Sequence, residues 1–383
     1  MINAEQLVTE AIDQAGLDDF GGEAFHEPLA LLESCLNSQA GLNGAGVFRA
    51  EMAIRNALAT RLQVEDYIRK HPDLLQQPVE RPVFIAGLPR TGTTALHHML
   101  NADPTNHTLR LWEGNEPVPP PEDASYTTDP RIERQRKGVE TTEQFMPGFL
   151  ASHLLAAEAP DECHLLFNRT LMSAEFYSMF HIPGYANSIY QLDLTPYYEY
   201  HRRQLQLLQT KKSGSWVLKS PFHQIGLEAI HKVYPDAIIV VPHRAPMSFV
   251  ASGCSFNDIL RKSGSDARDK HIVGRDWMDM LTVYTRRFEQ DRARLESQFE
   301  TPFIDVRHDE FIRDPWPAIE QIYHDRGTPL SSEGRAAMQG WLDDNPKGKH
   351  GVHEYKLEDY GITRAEVEDL FGDYVERYGL SME

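Results

Sequence analysis

An α/β fold built on a central parallel sheet flanked by helices, with an N-terminal helical cap and a helical insertion, is the architecture this sequence predicts. Three observations carry that expectation. Short β-branched, apolar runs alternate with helical patterns from residue 82 onward, the signature of strands that are crossed over by helices. Glycine- or proline-bounded junctions join strands to the helices that follow them. No strand pattern precedes residue 82.

In chain order, residues 3–77 read as helical, with apolar positions recurring at Leu7 and Ile12 and again at Met52, Ile54, Leu58, Leu62 and Tyr67. Residues 1–78 are therefore expected as a helical cap, and 79–383 as the α/β domain. The first strand is Val83, Phe84, Ile85 and Ala86, and a helix begins after Gly92. A second extended piece spans Thr108–Trp112, before a bend at Pro117, Pro119, Pro120 and Pro121. Residues 129–211 read as a helical insertion rich in aromatics such as Phe167, Phe176, Tyr185 and Tyr198. Strands resume at Ser215–Leu218 and Ala237–Val241, with a helix at Ile225–Val233 between them. Helices at 246–262 and 275–298, a last strand at Pro302–Val306, and helices at 308–327 and 331–343 complete the pattern. The alternation implies a sheet covered on both faces.

Bulk properties narrow the function classes. A chain of 383 residues, 41% hydrophobic, can bury a substantial core. Its net charge of −19 argues against a nucleic-acid partner or an anionic membrane surface, because phosphate binding takes clustered Lys and Arg. The run Ala237–Val241 is far too short to span a bilayer, so no transmembrane segment is expected. The start, MINAEQLVTEAIDQAGL, is polar and acidic, unlike a signal peptide. Cys35, Cys163 and Cys254 are widely separated and odd in number, which suits a reducing cytosol and offers no metal-ligand spacing. The expectation is a cytoplasmic globular protein without a metal site; homo-oligomerisation stays open.

The segment PVFIAGLPRTGTTALHHML, residues 82–100, carries the chemistry. A strand, a glycine-bounded loop and a helix N-terminus together point backbone N–H groups and the positive end of a helix dipole at one anion. Gly87, Gly92 and Thr94 fit the pattern G-x-x-x-x-G-K-[ST], but Thr93 stands where the lysine belongs. In nucleoside-triphosphate enzymes that lysine reaches the β- and γ-phosphates. The only cation in the loop is Arg90. Arg90, Thr91, Gly92, Thr93 and Thr94 thus form a candidate cradle for a nucleotide other than ATP; the bland alternative is a tight turn eased by glycines. A second strand-to-helix junction follows Ala237–Val241, where Arg244 sits at the strand's carboxyl end and Ser252 eight residues on. Ligand crevices of open parallel sheets lie at that edge. Arg244 offers a planar fork for phosphate and Ser252 one more hydrogen bond.

GLPRTGTT resembles the 5′-phosphosulfate loop of the sulfotransferases that depend on 3′-phosphoadenosine 5′-phosphosulfate (PAPS), and His243-Arg244…Ser252 resembles their 3′-phosphate motif. The resemblance runs from about residue 80 to 360 and is strongest to the bacterial branch. There LKSP-x-H (Leu218–His223) and an element like Gly348–Tyr355 also recur. It implies the P-loop-like sulfotransferase fold, PAPS as co-substrate and PAP as product. A basic Gly-containing loop in related enzymes closes over the 3′-phosphate, which makes Lys347, Lys349 and His350 candidates. PAPS carries two separate anionic groups and no γ-phosphate, so the missing lysine and the absence of a metal follow from the same reading.

The reaction so implied is in-line displacement of PAP by an acceptor hydroxyl, which needs positioning, charge stabilisation on the bridging oxygen and a base. Arg90 corresponds to the family's loop cation, and Lys219 to a lysine at the end of the matching strand. For the base, the histidine-using branches place His two residues after that lysine; here Pro221 stands there and His223 is nearest. The tyrosine-modifying branch uses a glutamate a little over twenty residues past its loop arginine, and Glu113 stands 23 residues past Arg90. Glu113 is the preferred base, then His223, then Glu116; alternatively Glu113 only orders its loop beside Arg110 or Arg90. The insertion is expected to hold an apolar or amphipathic hydroxyl acceptor, small or lipid-like. Two other readings remain: a magnesium-dependent small-molecule kinase with a degenerate loop, and a non-catalytic nucleotide-binding protein.

Overall fold

The computed structural model describes residues 1–146, 148–152, 154–266, 269–300, 303–345 and 356–383. Two compact units emerge: one of Met1–Val79, Arg110–Ser213 and Asn257–Arg268, the other of Glu80–Leu109, Gly214–Phe256 and Asp269–Glu383.

The first unit is helical. Its helix Ala4–Ala15, begun by the Asn3 side chain accepting from the Gln6 N–H, packs along the long helix Gly44–Lys70. Asn43 caps the latter in the same way through the Gly46 N–H. Each cap satisfies an N–H that the helix cannot. Most aromatic rings expected in the insertion serve as this unit's core: Phe167, Tyr185 and Tyr198 are fully buried and Phe176 nearly so.

The second unit holds the sheet. Strands β1 (Val83–Ile85), β2 (Asn106–Thr108), β3 (Ser215–Lys219), β4 (Ile238–His243) and β5 (Phe303–Arg307) are all parallel, in the order β2-β3-β1-β4-β5. β1 and β4 are buried at every residue, as strands covered on both faces must be. One face packs Val83, Ile85, Val217, Ile238 and Val240 against Leu96, Met99, Ile319, Ile322 and Met338 from the covering helices. In register, Ile85 of the central strand stands between Lys219 and Val240. The carboxyl ends of β1, β3 and β4 are therefore neighbours.

Several elements differ from the sequence expectation for local reasons. The second extended piece ends at Thr108, and Leu111–Asn115 coils into a helical turn because the Glu113 carboxylate reaches back to the Arg110 N–H at 2.8 Å. The helix expected over 308–327 is two, His308–Arg313 and Trp316–Arg326, broken before Pro315, which has no N–H to continue the ladder. The helix Arg364–Tyr378 was not anticipated, although Thr363 and Glu366 form a capping box and Gly379 ends it at φ 61°. Among the described residues no helix is long and apolar enough to cross a membrane.

Candidate functional site

The loop after β1 is shaped by close approach. Ala86 N–H donates to Val240 O at 2.8 Å, which ties the loop's start to β4. A Cβ on Gly87 would lie 2.8 Å from Thr91 Oγ1 and from Thr93 Cγ2, so no side chain fits there. Arg90 and Gly92 both adopt left-handed conformations, at φ 69° and 95°. For Arg90 that is an uncommon state needing support from its surroundings. Thr91 is fully buried and its hydroxyl donates to Leu88 O at 2.7 Å, holding the turn from within. Gly92 caps the helix Thr93–Asn101 without any side-chain bond to its first turn. The N–H groups of that turn have no intrahelical acceptor, as at any helix start, and face the anion side of the dipole.

The second junction meets this loop. Arg90 Nε donates to Ser252 Oγ at 3.1 Å, and Arg244 Nη1 donates to the Arg90 carbonyl at 3.0 Å. Arg244, Ser252 and Arg90 thus converge. Burial, then the neighbouring Arg90 charge, pushes the Arg244 guanidinium down from its ordinary value. Two like charges held this close fit a doubly anionic ligand better than an empty protein surface. The Arg90 guanidinium also lies 5.6 Å from the Phe256 ring centre.

The end of β4 before Arg244 is braced from behind by residues that the sequence did not single out. The Tyr374 oxygen lies 3.1 Å from Nδ1 of His243, the residue before Arg244. His243 Nε2 lies 2.7 Å from Asp305 Oδ1, and Arg292 grips Asp305 at 2.6 and 2.8 Å. The hydrogen bonds with Arg292 and His243 hold the Asp305 carboxyl well below the usual carboxylate range against its burial, while burial keeps His243 neutral. With Nε2–H donated to Asp305, Nδ1 is left to accept from Tyr374. The Thr363…Glu366 capping box was the available signal for the helix that brings Tyr374.

At the end of β3, Lys219 is 2% exposed and stands beside Ile85. The Ser220 side chain accepts from Phe222 N–H at 3.2 Å and starts the turn Pro221–Gly226. His223 is fully buried there, its ring edge-on to Phe84 with centres 4.9 Å apart. His97, on the helix after the loop, is also fully buried, with Nε2 3.2 Å from Val217 O. Desolvation, followed by the Lys219 charge, drives its pKa well below the ordinary imidazole value.

Glu113 belongs to the first unit and is wholly buried. Its Oε1 accepts from the Arg110 N–H at 2.8 Å and from the Tyr126 hydroxyl at 2.9 Å. Burial and the Glu113 charge push the Tyr126 phenol far above its ordinary value. Arg169, also buried, donates to the carbonyl of Gly114, next in sequence, and to Gln204 Oε1 at 2.6 Å. Glu116 is engaged at the surface, with Arg134 at 2.6 Å. Lys347, Lys349 and His350 lie outside the described residues.

A model of the sulfotransferase family matches residues 82–332. The crystal structure of sulfotransferase STF1 from Mycobacterium tuberculosis H37Rv is 32% identical, with 97% of this chain and 99% of that chain covered and a TM-score of 0.86. Sulfotransferase STF9 from Mycobacterium avium is 29% identical, with 100% of this chain and 98% of that one covered and a TM-score of 0.89. No curated protein matches the chain. The family match takes in the loop, both strand-end cations and the Arg244–Ser252 junction, and so the chain belongs to the sulfotransferase family, whose chemistry is sulfuryl transfer.

Proposed function

We propose that this chain transfers a sulfuryl group from PAPS to the hydroxyl of an apolar or amphipathic acceptor by in-line displacement, releasing PAP. The observation that carries the reading is the convergence of Arg90, Ser252 and Arg244 beside an uncapped helix N-terminus whose loop has Thr93 in place of lysine. PAPS would supply an activated sulfuryl group on a phosphate leaving group. In this reading Thr93, Thr94 and the first-turn N–H groups hold the 5′-side phosphate, and Thr91 and Gly92 keep the loop's shape. Arg244 and Ser252 hold the 3′-phosphate, with Lys347, Lys349 and His350 as further candidates from the C-terminal segment. Arg90 and Lys219 stabilise charge that develops on the bridging oxygen.

Glu113 is the proposed base, with His223 behind it. Its carboxylate is the group proposed to take the proton, and its Oε1 is fixed by the Arg110 N–H and the Tyr126 hydroxyl. The acceptor is placed against residues 129–211, a reading supported by their aromatic content. Calorimetric titration of PAP and of ADP in EDTA tests the donor assignment. Tight PAP binding with weak ADP binding is expected without metal. Absent PAP binding, with ADP binding restored by magnesium, would instead make the chain a kinase.

A further inference from the structure

Arg110 is the one arginine of the first unit that the described structure leaves without a hydrogen-bond or ion-pair partner for its guanidinium. Its Nε is buried and meets no acceptor among the described residues. Other arginines of the unit are engaged: Arg131 with Asp129 at 2.6 Å, Arg203 with Glu65 at 2.9 Å, Arg61 with the Phe20 carbonyl at 2.8 Å, and Arg261 with the Tyr177 carbonyl at 2.8 Å. Leaving a buried donor unmet is costly, about 1–3 kcal/mol for such a group, so its persistence calls for an acceptor from outside the chain.

The side chain is also held in place rather than loose. Its guanidinium carbon lies 4.4 Å from the Tyr126 ring centre, and Lys212 Nζ lies 4.8 Å from the same ring. Its backbone N–H is fixed by Glu113 Oε1, and its backbone bridges to Pro160. The neighbouring N–H groups of Leu111 and Trp112 are tied to the carbonyls of Ala159 and Ala157 at 3.2 and 3.1 Å. A pre-set fork whose buried Nε–H meets no acceptor among the described residues is an arrangement suited to binding an oxyanion in bidentate fashion.

We propose that Arg110 is a specificity residue that receives an oxyanion, a carboxylate, sulfonate or phosphate ester, carried by the hydroxyl acceptor. The inference rests on the proposed sulfuryl transfer and narrows its substrate to amphipathic acidic alcohols or phenols. The proximity of Arg110 to the Glu113 carboxylate's own hydrogen bonds gives the anion a fixed relation to the proposed base. Lys212 adds positive charge on the Tyr126 ring while remaining paired with Asp123 at 3.1 Å.

The test compares three probes by calorimetry on the full chain with PAP present and absent: 6-hydroxy-2-naphthoate, 6-hydroxynaphthalene-2-sulfonate and neutral 2-naphthol. Wild type should bind each acid at least about tenfold tighter than 2-naphthol, the scale of a charge-assisted bidentate contact. Arg110→Met should erase that preference and leave PAP affinity unchanged. Arg110→Lys, which keeps the charge and the stem without the fork, should fall between the two. It also separates anion recognition from a folding defect in Arg110→Met. Equal or absent binding of the acids by wild type overturns the proposal, as does retention of the preference in both variants. A tenfold loss of PAP affinity in Arg110→Met would overturn it too, by moving the arginine to the donor. Failure of wild type to bind PAP would instead reject the donor reading, and the probe comparison in the absence of PAP would still decide the role of Arg110.

Discussion

Replacing Arg244 by alanine gives the sharpest test of the proposed donor site, because this side chain has one duty in the structure and a second, separable one in the proposed function. Its Nη1 donates to the Arg90 carbonyl at 3.0 Å and so supports a left-handed residue in the loop, while the proposed function gives the rest of the fork to the 3′-phosphate. Loss of a hydrogen bond to a charged partner is worth about 1.5–3 kcal/mol. That corresponds to roughly 10–150-fold in the dissociation constant for PAP. Loss of the guanidinium's bond to the uncharged Arg90 carbonyl acts on ligands only through the loop, a smaller effect that should fall equally on any ligand of the loop. Calorimetry with PAP and with adenosine 5′-phosphate, which lacks the 3′-phosphate, separates the two terms. PAP should suffer both losses in Arg244→Ala, and adenosine 5′-phosphate only the smaller. Equal losses for the two ligands would show that Arg244 acts only through the loop, and an unchanged PAP affinity would remove it from the site.

Two further outcomes are expected. Glu113→Gln keeps an amide oxygen able to accept from the Arg110 N–H and the Tyr126 hydroxyl, so the turn should persist while turnover falls about 10²-fold and PAP affinity stays intact. Full activity in that variant would pass the base to His223. Burial pushes His201 down to about 3, so between that value and the unfolded value of about 6.5 the unfolded state binds one more proton. Its contribution to stability is therefore complete above about pH 6.5 and declines by about 1.4 kcal/mol per unit as pH falls toward 3. Urea unfolding of wild type and His201→Gln from pH 7 to 4 should show the flatter dependence in the variant, and parallel curves would sink this account.

Much of the candidate site's backbone was legible because it is local. Val83–Ile85, Gly87, Gly92 and the helix from Thr93 are contiguous, and their conformations follow from β-branched residues, a crowded turn and a left-handed junction. Arg244 and Ser252 stood out for a similar reason, eight residues apart on one strand-to-helix junction, although their common contact is with Arg90 and not with each other. Leu111 and Trp112, at the start of the turn carrying Glu113, read as extended because the turn's stabilising contact is a carboxylate folding back on a backbone N–H, which leaves no apolar period. The capping box at Thr363 and Glu366 was readable, yet a short signal in an acidic, polar segment gives little hydrophobic pattern to support it.

Sequence by itself determined the parallel α/β plan, the strand–loop–helix without its lysine, and the positions of the loop arginine and of two cations at strand ends. These depend on residue types and spacings within a few turns of chain. Only the tertiary structure decided that Arg244 donates to the Arg90 carbonyl, that Tyr374 and the Asp305–Arg292 pair hold the neighbouring His243, and that Arg110 lies on Tyr126 with its Nε meeting no acceptor among the described residues. Each of those facts is a meeting of segments 13 to 154 residues apart, or the absence of such a meeting. Which donors meet acceptors across such distances is set by how the whole chain packs, because every buried polar group must find its partner in three dimensions.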